Sequence, residues 1–352
     1  MSRFWSEVTN ALSPYVPGEQ PQIENIIKLN TNENPYGPAP GVLKAITEQT
    51  TGDLRKYPDP NAAALKQTIG GYYGISPSQV FVGNGSDEVL AHLFVAFFKG
   101  KRPILFPDIT YSFFPVYCRL FEIESRQIPV NDRFEIELDE YAQENGGIIF
   151  ANPNAPTGIF KPVDAIESLL KTNTDSVVVI DEAYVDFGGQ SCIPLVNKYP
   201  NLLVVQTLSK SRSLAGLRVG FACGNAELIE GLNRVKNSFN SYPMDRLAIA
   251  GAIASFFDDK YLKETTEQII YNREFLTKGL KKIGFTVLPS KANFVFACHR
   301  QDAADIMQQL RERAIIVRHF DAPRIEQFLR ITVGTYREIK LLLAALEEIV
   351  GA

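Results

Sequence analysis

The sequence predicts an α/β protein with a large domain, built on a mostly parallel sheet flanked by helices, and a smaller α+β domain. Through the first 225 residues, short apolar runs end repeatedly in polar loops, as in parallel sheets whose strands are buried on both faces. After a long helical stretch that ends near residue 283, strand patterns return together with two further helices. We place an arm and part of the small domain at residues 1–40, the large domain at 41–245 and the small carboxyl-terminal domain at 246–352.

Length and composition exclude several classes of protein. The 352 residues, of which 45% are hydrophobic and 22% charged, allow the large core of a globular protein. A formal net charge of −4 without a basic cluster disfavours nucleic acid as a partner. The sequence contains no long uncharged apolar stretch of the kind that predicts a membrane span, and Glu7 lies where a signal peptide needs its apolar stretch. We therefore expect a cytoplasmic protein. The cysteines and histidines are scattered, and we expect no metal site.

Two loops in the first 60 residues carry candidate side chains. The stretch Leu29–Pro38 is dense in asparagine, proline and glycine, which predicts an irregular loop around Asn34. Tyr57 lies in the proline-punctuated sequence RKYPDP, before a helix that begins near Ala62. The residues alone fit equally well with a plain connector and an exposed tyrosine of no special role.

A glycine turn between a strand and a helix predicts an anion site. In the stretch Gln79–Phe98, a short apolar strand breaks at a glycine pair that ends with Gly85, and an apolar helical face begins near Ser86. Backbone amides at such a helix start can hold a phosphate against the positive end of the helix dipole. Asp87 fits equally as ordinary helix-start chemistry. Glu88 stands where a dinucleotide-binding GxGxxG motif requires glycine, which argues against that fold.

The next two strand ends carry an aromatic ring and an asparagine. The stretch Ile104–Phe114 predicts a strand followed by a loop with Tyr111, whose flat ring either packs in the core or stacks on a flat ligand. The stretch Gly147–Phe160 predicts a buried strand that runs into a proline-rich turn with Asn154 and Ala155.

Two further strand ends carry a carboxylate and an amine. Four aliphatic residues lead directly into Asp181, three residues before Tyr184. An acid at the end of a buried strand needs a partner, such as a protonated ring nitrogen. Lys210 follows the next aliphatic run, beside Ser209 and eight residues before Arg218. Because open α/β sheets place their chemistry at the carboxyl ends of the strands, this cluster predicts a reactive amine beside an anion site.

Taken in this order and spacing, Asp181, Tyr184, Ser209, Lys210 and Arg218 resemble the pyridoxal phosphate (PLP) site of fold-type I aminotransferases. The chain is similar to the histidinol-phosphate aminotransferase family over nearly its whole length, from LNTNENPYGP to FLRITVGT. The resemblance implies that Lys210 holds PLP covalently and moves the proton during transamination. It also implies that Asp181 keeps the pyridine nitrogen protonated and that Tyr184 stabilises the ionised phenolic oxygen.

The same resemblance assigns further binding roles. The residues expected around the PLP phosphate are Gly85, Ser86, Asp87, Ser209 and Arg218, with Tyr57 contributed by the second subunit of a homodimer. Tyr111 is expected to stack on the cofactor, and Asn34 to form a wall of the substrate pocket. Family members carry a second asparagine before the Pro-Thr-Gly sequence, where this chain has Ala155. Asn154 supplies the missing hydrogen bond if the turn is shifted; otherwise Tyr184 is the chief donor.

Two arginines near the carboxyl terminus bear on the substrate. Arg318 in IIVRHF and Arg330 in FLRITVGT lie within apolar strand patterns, where an unpaired guanidinium is costly. Each either pairs with an internal carboxylate or binds an anionic ligand. The resemblance implies histidinol phosphate as the amino donor and 2-oxoglutarate as the acceptor, in histidine biosynthesis. The alternatives are an aromatic amino acid aminotransferase, a decarboxylase of a phosphorylated amino acid, and a non-catalytic PLP-fold binding protein.

Overall fold

The structure is a computed structural model that describes residues 2–21 and 24–351. Four residues lie outside this description: Met1, Gln22, Ile23 and Ala352. The first three belong to the predicted segment 1–40, and Ala352 is the last residue of the predicted small domain. The helices of the described residues are α1 (Glu7–Ala11), α2 (Pro40–Gln49), α3 (Ala63–Tyr73), α4 (Ser86–Leu93), α5 (Phe113–Phe121), α6 (Val163–Thr172), α7 (Ala226–Phe239), α8 (Arg246–Phe256), α9 (Asp259–Lys282), α10 (Ala303–Glu312) and α11 (Tyr336–Gly351). The strands are β1 (Ile27–Lys28), β2 (Val80–Asn84), β3 (Ile104–Pro107), β4 (Ser125–Ile128), β5 (Ile148–Ala151), β6 (Val178–Asp181), β7 (Leu202–Thr207), β8 (Val219–Gly224), β9 (Thr286–Val287), β10 (Phe294–Cys298), β11 (Ile315–Ile316), β12 (Arg318–His319) and β13 (Phe328–Thr332).

Seven strands of the described residues form one large sheet, in the spatial order β2-β8-β7-β6-β5-β3-β4. β8 runs antiparallel to both of its neighbours, and the strands from β7 to β4 are parallel. Side chains alternate between the two faces, so that in β6 Val178 and Ile180 pack in one cluster and Val179 packs in another. Because both faces are buried, the sequence shows continuous apolar runs where a half-exposed sheet would alternate. The predicted mostly parallel α/β fold is confirmed.

Helices cover both faces of the large sheet. One face packs against α2, α3, α6 and α8, and the opposite face packs against α4, α5 and α7. The second face is rich in aromatic side chains, including the fully buried Phe94, Phe106 and Phe114.

Among the described residues, no helix combines the length and the apolar composition that crossing a lipid bilayer requires.

A smaller antiparallel sheet lies in the second half of the chain. Its described strands follow the order β12-β13-β10-β9. The helices α9, α10 and α11 pack on this sheet and bury Leu276, Ile306 and Leu346 in the same cluster as Val295 and Ile331. Strands and helices are mixed there as the sequence predicts, and the domain limits at residues 40 and 245 stay predictions.

Two parts of the chain differ from their predicted structure. The sequence IIVRHF forms two short strands, because β11 pairs in parallel with β1 whereas β12 pairs with β13. The pairing with β1 joins the amino-terminal segment to the second half of the chain. The arm also contains the short helix α1, at whose start the Ser6 hydroxyl accepts a hydrogen bond from the backbone N–H of Thr9 (3.2 Å).

The register of the large sheet aligns the ends of its central strands. Ala151 at the end of β5 is the register partner of Asp181 at the end of β6, and Asp181 is the partner of Val205 in β7. Lys210 comes three residues after the last residue of β7. Polar side chains of separate strands are therefore delivered to one edge of the sheet, beside the helix start at Ser86.

Candidate active site

A cavity of about 240 Å³ lies at this edge of the large sheet and extends to the smaller sheet. The predicted site residues that line it are Ser86, Asp87, Tyr111, Asp181, Tyr184, Ser209, Lys210, Arg218, Arg318 and Arg330. The other predicted residues, Asn34, Tyr57, Gly85 and Asn154, do not contribute to its wall. Predicted side chains that are up to 244 positions apart in sequence, from Ser86 to Arg330, thus share one cavity.

The amine of Lys210 faces this cavity. Its Nζ donates a hydrogen bond to the backbone carbonyl of Thr31 (3.3 Å) and lies 5.8 Å from the centre of the Tyr184 ring. The main chain of the lysine loop is fixed by Asn34, whose Nδ2 donates to the carbonyls of Lys210 (3.1 Å) and Ser211 (3.2 Å). Asn34 therefore orients the loop that carries the amine.

Asp181 is a buried acid that lacks a cationic hydrogen-bond partner among the described residues. Only 5% of the residue is exposed, and its Oδ1 accepts a hydrogen bond from the backbone N–H of Ala183 (3.1 Å). Burial raises the pKa of Asp181 to about 7, the charge of Asp87 adds to the rise, and the Ala183 bond and Lys210 oppose it. A further cation in the cavity would favour the ionised form of this acid.

A close approach of two backbone segments brings Arg218 to the start of α4. Gly85, just before the helix, has a φ of 85°, and a Cβ added there would lie 2.5 Å from Nη2 of Arg218. A Cβ added at Gly220 would lie 2.2 Å from the backbone nitrogen of Ser86. Glycine is required at Gly85 by the positive φ, and at Gly220 because a Cβ would collide with the backbone of Ser86. The unbonded amides of a helix start and an adjacent arginine form an anion site.

Asp87 orders two other predicted side chains at this anion site. Its Oδ2 accepts a hydrogen bond from Nη2 of Arg218 (2.9 Å), and its Oδ1 accepts one from the hydroxyl of Tyr111 (2.9 Å). Burial raises the pKa of Tyr111 far above its usual value. The hydroxyl therefore stays protonated and donates a hydrogen bond to Asp87. Ser209, whose hydroxyl lies 3.0 Å from that of Thr207, completes this side of the cavity.

Asn32 is a cavity residue that the sequence prediction missed. Its Nδ2 donates a hydrogen bond to the hydroxyl of Tyr184 (3.0 Å), and its Oδ1 accepts one from the hydroxyl of Thr332 (3.1 Å). The residue is only 1% exposed and has a φ of 57°, a left-handed conformation that asparagine tolerates better than most residues. The asparagine-rich pattern of the loop indicates its irregular backbone but does not show which asparagine borders the cavity. The prediction that Asn34 forms the pocket wall therefore names the wrong asparagine of this loop.

Asn154 turns away from the cavity. Its Nδ2 donates to the carbonyl of Ile109 (2.9 Å), and its Oδ1 accepts a hydrogen bond from the hydroxyl of Thr110 (3.1 Å). The cavity wall at this turn is formed by Ala155 and Pro156. Of the two donors considered for the phenolic oxygen of a cofactor, the hydroxyl of Tyr184 is the one that borders the cavity.

Arg318 and Arg330 lie directly opposite one another in the register of β12 and β13. Like charges at such positions destabilise a sheet, and within the described part of the chain neither guanidinium lies within 4.0 Å of a carboxylate. Nη2 of Arg330 donates to the carbonyl of Asn30 (2.8 Å), while its buried Nε has no hydrogen-bond partner among the described residues. The ring of Phe320 lies 5.5 Å from the Arg318 guanidinium and 5.4 Å from that of Arg330. The two cations thus border the cavity without being paired to a carboxylate of the described residues.

Tyr57 lies outside the cavity of its own chain. The residue is 80% exposed, and its ring stacks on that of Tyr242 with the centres 4.7 Å apart. Lys236 holds the surrounding loops together, because its Nζ donates to the carbonyl of Pro60 (2.9 Å) and lies 3.5 Å from that of Ser241. An aromatic pair is therefore held in place on the protein surface.

Comparison with known proteins assigns this arrangement to a family. The profile of the family "Aminotransferase class I and II" matches residues 24–346. The chain belongs to this aminotransferase family. It is 60% identical to histidinol-phosphate aminotransferase 1 of Pseudomonas aeruginosa, over 98% of this chain and 99% of the relative. It is 59% identical to histidinol-phosphate aminotransferase 1 of Methylococcus capsulatus, over 100% of this chain and 99% of the relative.

Solved structures agree with this aminotransferase assignment. Histidinol-phosphate aminotransferase from Sinorhizobium meliloti, in complex with pyridoxal-5'-phosphate, has a TM-score of 0.91 at 26% identity and covers 100% of this chain and 98% of its own. L-threonine-O-3-phosphate decarboxylase from Porphyromonas gingivalis has a TM-score of 0.80 at 22% identity, over 93% of this chain and 100% of its own. The second likeness shows a shared fold alone.

The cavity of this aminotransferase fits PLP, the cofactor that the sequence resemblance implies. Asp181 offers a buried carboxylate to a protonated ring nitrogen, which would supply the cation that its environment lacks. The start of α4, Ser209 and Arg218 offer donors to a phosphate. Lys210 offers an amine to the carbonyl carbon, and Tyr184 a hydroxyl to the phenolic oxygen.

We expect the Asp181→Asn apoprotein to be more stable than the wild-type apoprotein at about pH 8 and equally stable at about pH 4. The folded wild type binds the Asp181 proton more tightly than the unfolded chain, so its free energy of unfolding falls as the pH rises from about 4 to about 7. Asparagine does not titrate, and the gain at high pH is on the order of a few kcal/mol. Urea unfolding of both apoproteins across this range measures the difference.

Asp175→Asn is the matched control, because Asp175 is an exposed carboxylate before the same strand. We expect its stability difference from the wild type to stay small at every pH. A stability gain for Asp181→Asn that grows as the pH falls would contradict the proposed state of this acid.

Proposed function

We propose that this chain is a PLP-dependent aminotransferase that converts histidinol phosphate and 2-oxoglutarate to imidazole acetol phosphate and glutamate, in histidine biosynthesis. The observation that carries the substrate is the pair Arg318 and Arg330, which face each other across two strands and border the cavity. Relatives that are about 60% identical over the whole chain and bear the name histidinol-phosphate aminotransferase support the same substrate.

The arginine pair suits two unlike substrates. Guanidinium groups bind both phosphate and carboxylate with parallel hydrogen bonds. Histidinol phosphate presents a phosphate in the first half-reaction, and 2-oxoglutarate presents its distal carboxylate in the second. Because the buried Nε of Arg330 has no partner in the part of the chain that the structure describes, an arriving anion would satisfy a donor that is otherwise costly.

The protein's own residues would divide the chemical work. Ser86, Ser209 and Arg218 would bind the cofactor phosphate at the positive end of α4. Bound PLP supplies an electron sink for the bonds at the substrate Cα. Lys210, once free, would take the proton from Cα and return it to the cofactor carbon as a general base and then acid. Asp181 would be ionised against the protonated ring nitrogen.

A second substrate class is favoured by the rings around the cavity. Tyr15, Tyr111, Tyr184 and Phe320 all contribute to its wall. Such a lining also suits an aromatic amino acid, whose carboxylate would meet the arginine pair. The comparison of histidinol phosphate with phenylalanine as amino donors to 2-oxoglutarate decides between the two substrates.

We expect Lys210→Ala to lower the transamination rate by about 10²-fold to 10⁴-fold or more, because the proton carrier is lost. After borohydride reduction and digestion, mass spectrometry should find a pyridoxyl group on the Lys210 peptide of the wild type and none in the variant. Lys171→Ala, which removes an exposed lysine paired with Glu167, should behave as the wild type in both measurements. A Lys210→Ala protein with the wild-type rate would contradict the assignment.

We expect Arg330→Ala to lower kcat/KM for histidinol phosphate and for 2-oxoglutarate by about tenfold to a hundredfold, the usual effect of losing a charge-assisted hydrogen bond. Unphosphorylated histidinol should be a poor substrate of the wild type and should lose little more in the variant. The control is Arg337→Ala, which removes an exposed arginine on α11. If phenylalanine reacts faster than histidinol phosphate with the wild type, the protein is an aromatic aminotransferase.

The proposal includes a cytoplasmic homodimer in which Tyr57 reaches the cofactor phosphate of the partner. Its support is the exposed Tyr57 ring, which lies outside the cavity of its own chain. We expect Tyr57→Ala and Lys210→Ala proteins, mixed and reassembled, to recover up to about a quarter of the wild-type activity, since half of the dimers would carry one intact site. Lys210→Ala mixed with the double variant should stay inactive. A protein that is monomeric at assay concentration would contradict this proposal.

A further inference from the structure

The segment of residues 13–19, here called the strap, crosses the wall of the cavity. Tyr15 and Gly18 of the strap contribute to that wall. On the side of the large sheet, the ring of Tyr15 packs against Phe113 of α5 with the centres 4.6 Å apart. Nη2 of Arg119, also on α5, donates to the carbonyl of Ser13 (3.4 Å).

The other end of the strap is attached to α10, on the side of the smaller sheet. The two terminal nitrogens of Arg311 each contact one carboxylate oxygen of Glu19, and the contact of Nη2 with Oε1 is 2.6 Å. The hydrogen bond from Arg311 holds the pKa of Glu19 below its usual value. The strap is therefore fixed at one end to a helix of the large sheet and at the other to a helix of the smaller sheet.

The segment beneath the strap connects it to the residues that do the chemistry. Asn30, only 2% exposed, donates through Nδ2 to the carbonyl of Glu19 (2.9 Å) and accepts through its own carbonyl from Nη2 of Arg330 (2.8 Å). A Cβ added at Gly18 would lie 2.5 Å from Cγ2 of Thr31, so only glycine allows this close contact. The carbonyl of Thr31 in turn accepts the hydrogen bond from Lys210.

We infer that the Glu19–Arg311 pair is a clasp that holds the strap over the cavity and, through Asn30, keeps Arg330 oriented toward the anion of the substrate. Glu19 and Arg311 are positioning residues, because neither borders the active-site cavity. The substrate in this inference rests on the proposed function, whereas the clasp itself rests on the contacts above.

The clasp predicts a specific kinetic effect. Most exposed ion pairs contribute little, but a two-pronged contact between distant chain segments restricts the strap before the substrate arrives. Without the clasp, substrate binding must order the strap, which weakens binding and leaves the bond-making residues unchanged. We therefore expect Arg311→Gln and Glu19→Gln each to raise KM for histidinol phosphate by about two- to fivefold, with kcat nearly constant.

Two comparisons separate the clasp from a general loss of charge. Arg313→Gln is the matched control, because Arg313 is 39% exposed, like Arg311 at 38%, and faces Glu348 instead of the strap. Its KM should equal that of the wild type. The charge-reversed double variant, Glu19→Arg with Arg311→Glu, should recover much of the wild-type KM. Equal KM values for Arg311→Gln and Arg313→Gln would overturn the inference. So would a double variant whose KM exceeds the combined increases of Glu19→Gln and Arg311→Gln.

Hydrogen exchange of the apoprotein tests the clasp without any substrate. Backbone amides of the strap should exchange faster in Arg311→Gln than in the wild type and in Arg313→Gln, while the strands of the large sheet are unaffected. Unchanged exchange in the strap would overturn the inference. If the wild type does not accept histidinol phosphate, the proposed function fails, and the exchange rates still decide whether the clasp exists.

Discussion

Charges that lack an internal partner converge on one cavity, and the rest of the structure depends on this constraint. Burial of Asp181 disfavours the ionised form of its carboxyl group. The like charges of Arg318 and Arg330 face each other across two strands. Each arrangement lowers the stability of the empty protein. The protonated ring nitrogen of a cofactor would stabilise the ionised form of Asp181, and the anionic group of a substrate would lie between the two guanidinium groups.

The large sheet is what makes such a site possible. Its central strands are buried on both faces by two layers of helices, and this packing holds the strand ends at fixed positions. The same packing holds a strained backbone at the anion site, where Arg218 has a φ of 53°. A left-handed arginine is uncommon and persists where its surroundings determine it. Here it places the guanidinium at the start of α4.

Three consecutive residues after β1 form hydrogen bonds with side chains of the active site that come from both sheets. Asn30 accepts a hydrogen bond from Arg330, Thr31 accepts one from Lys210, and Asn32 donates one to Tyr184. A single short segment thus contacts a substrate-binding, an amine-bearing and a hydroxyl-bearing side chain. The strap contacts this segment through the hydrogen bond from Asn30 to Glu19 and the close approach of Gly18 to Thr31, which is the physical basis of the clasp that we infer between Glu19 and Arg311.

The sequence by itself determined the features that depend on local pattern. An apolar run that ends in an acid, a lysine or a glycine turn places Asp181, Lys210 and the helix start at strand ends, because parallel strands buried on both faces share one active edge. The tertiary structure alone decided which side chains point into the cavity. Side-chain direction depends on register and on partners far along the chain, so Asn34 and Asn154 bind the backbone while Asn32 enters the site. The direct opposition of Arg318 and Arg330 also required the register of two strands, which no local pattern specifies.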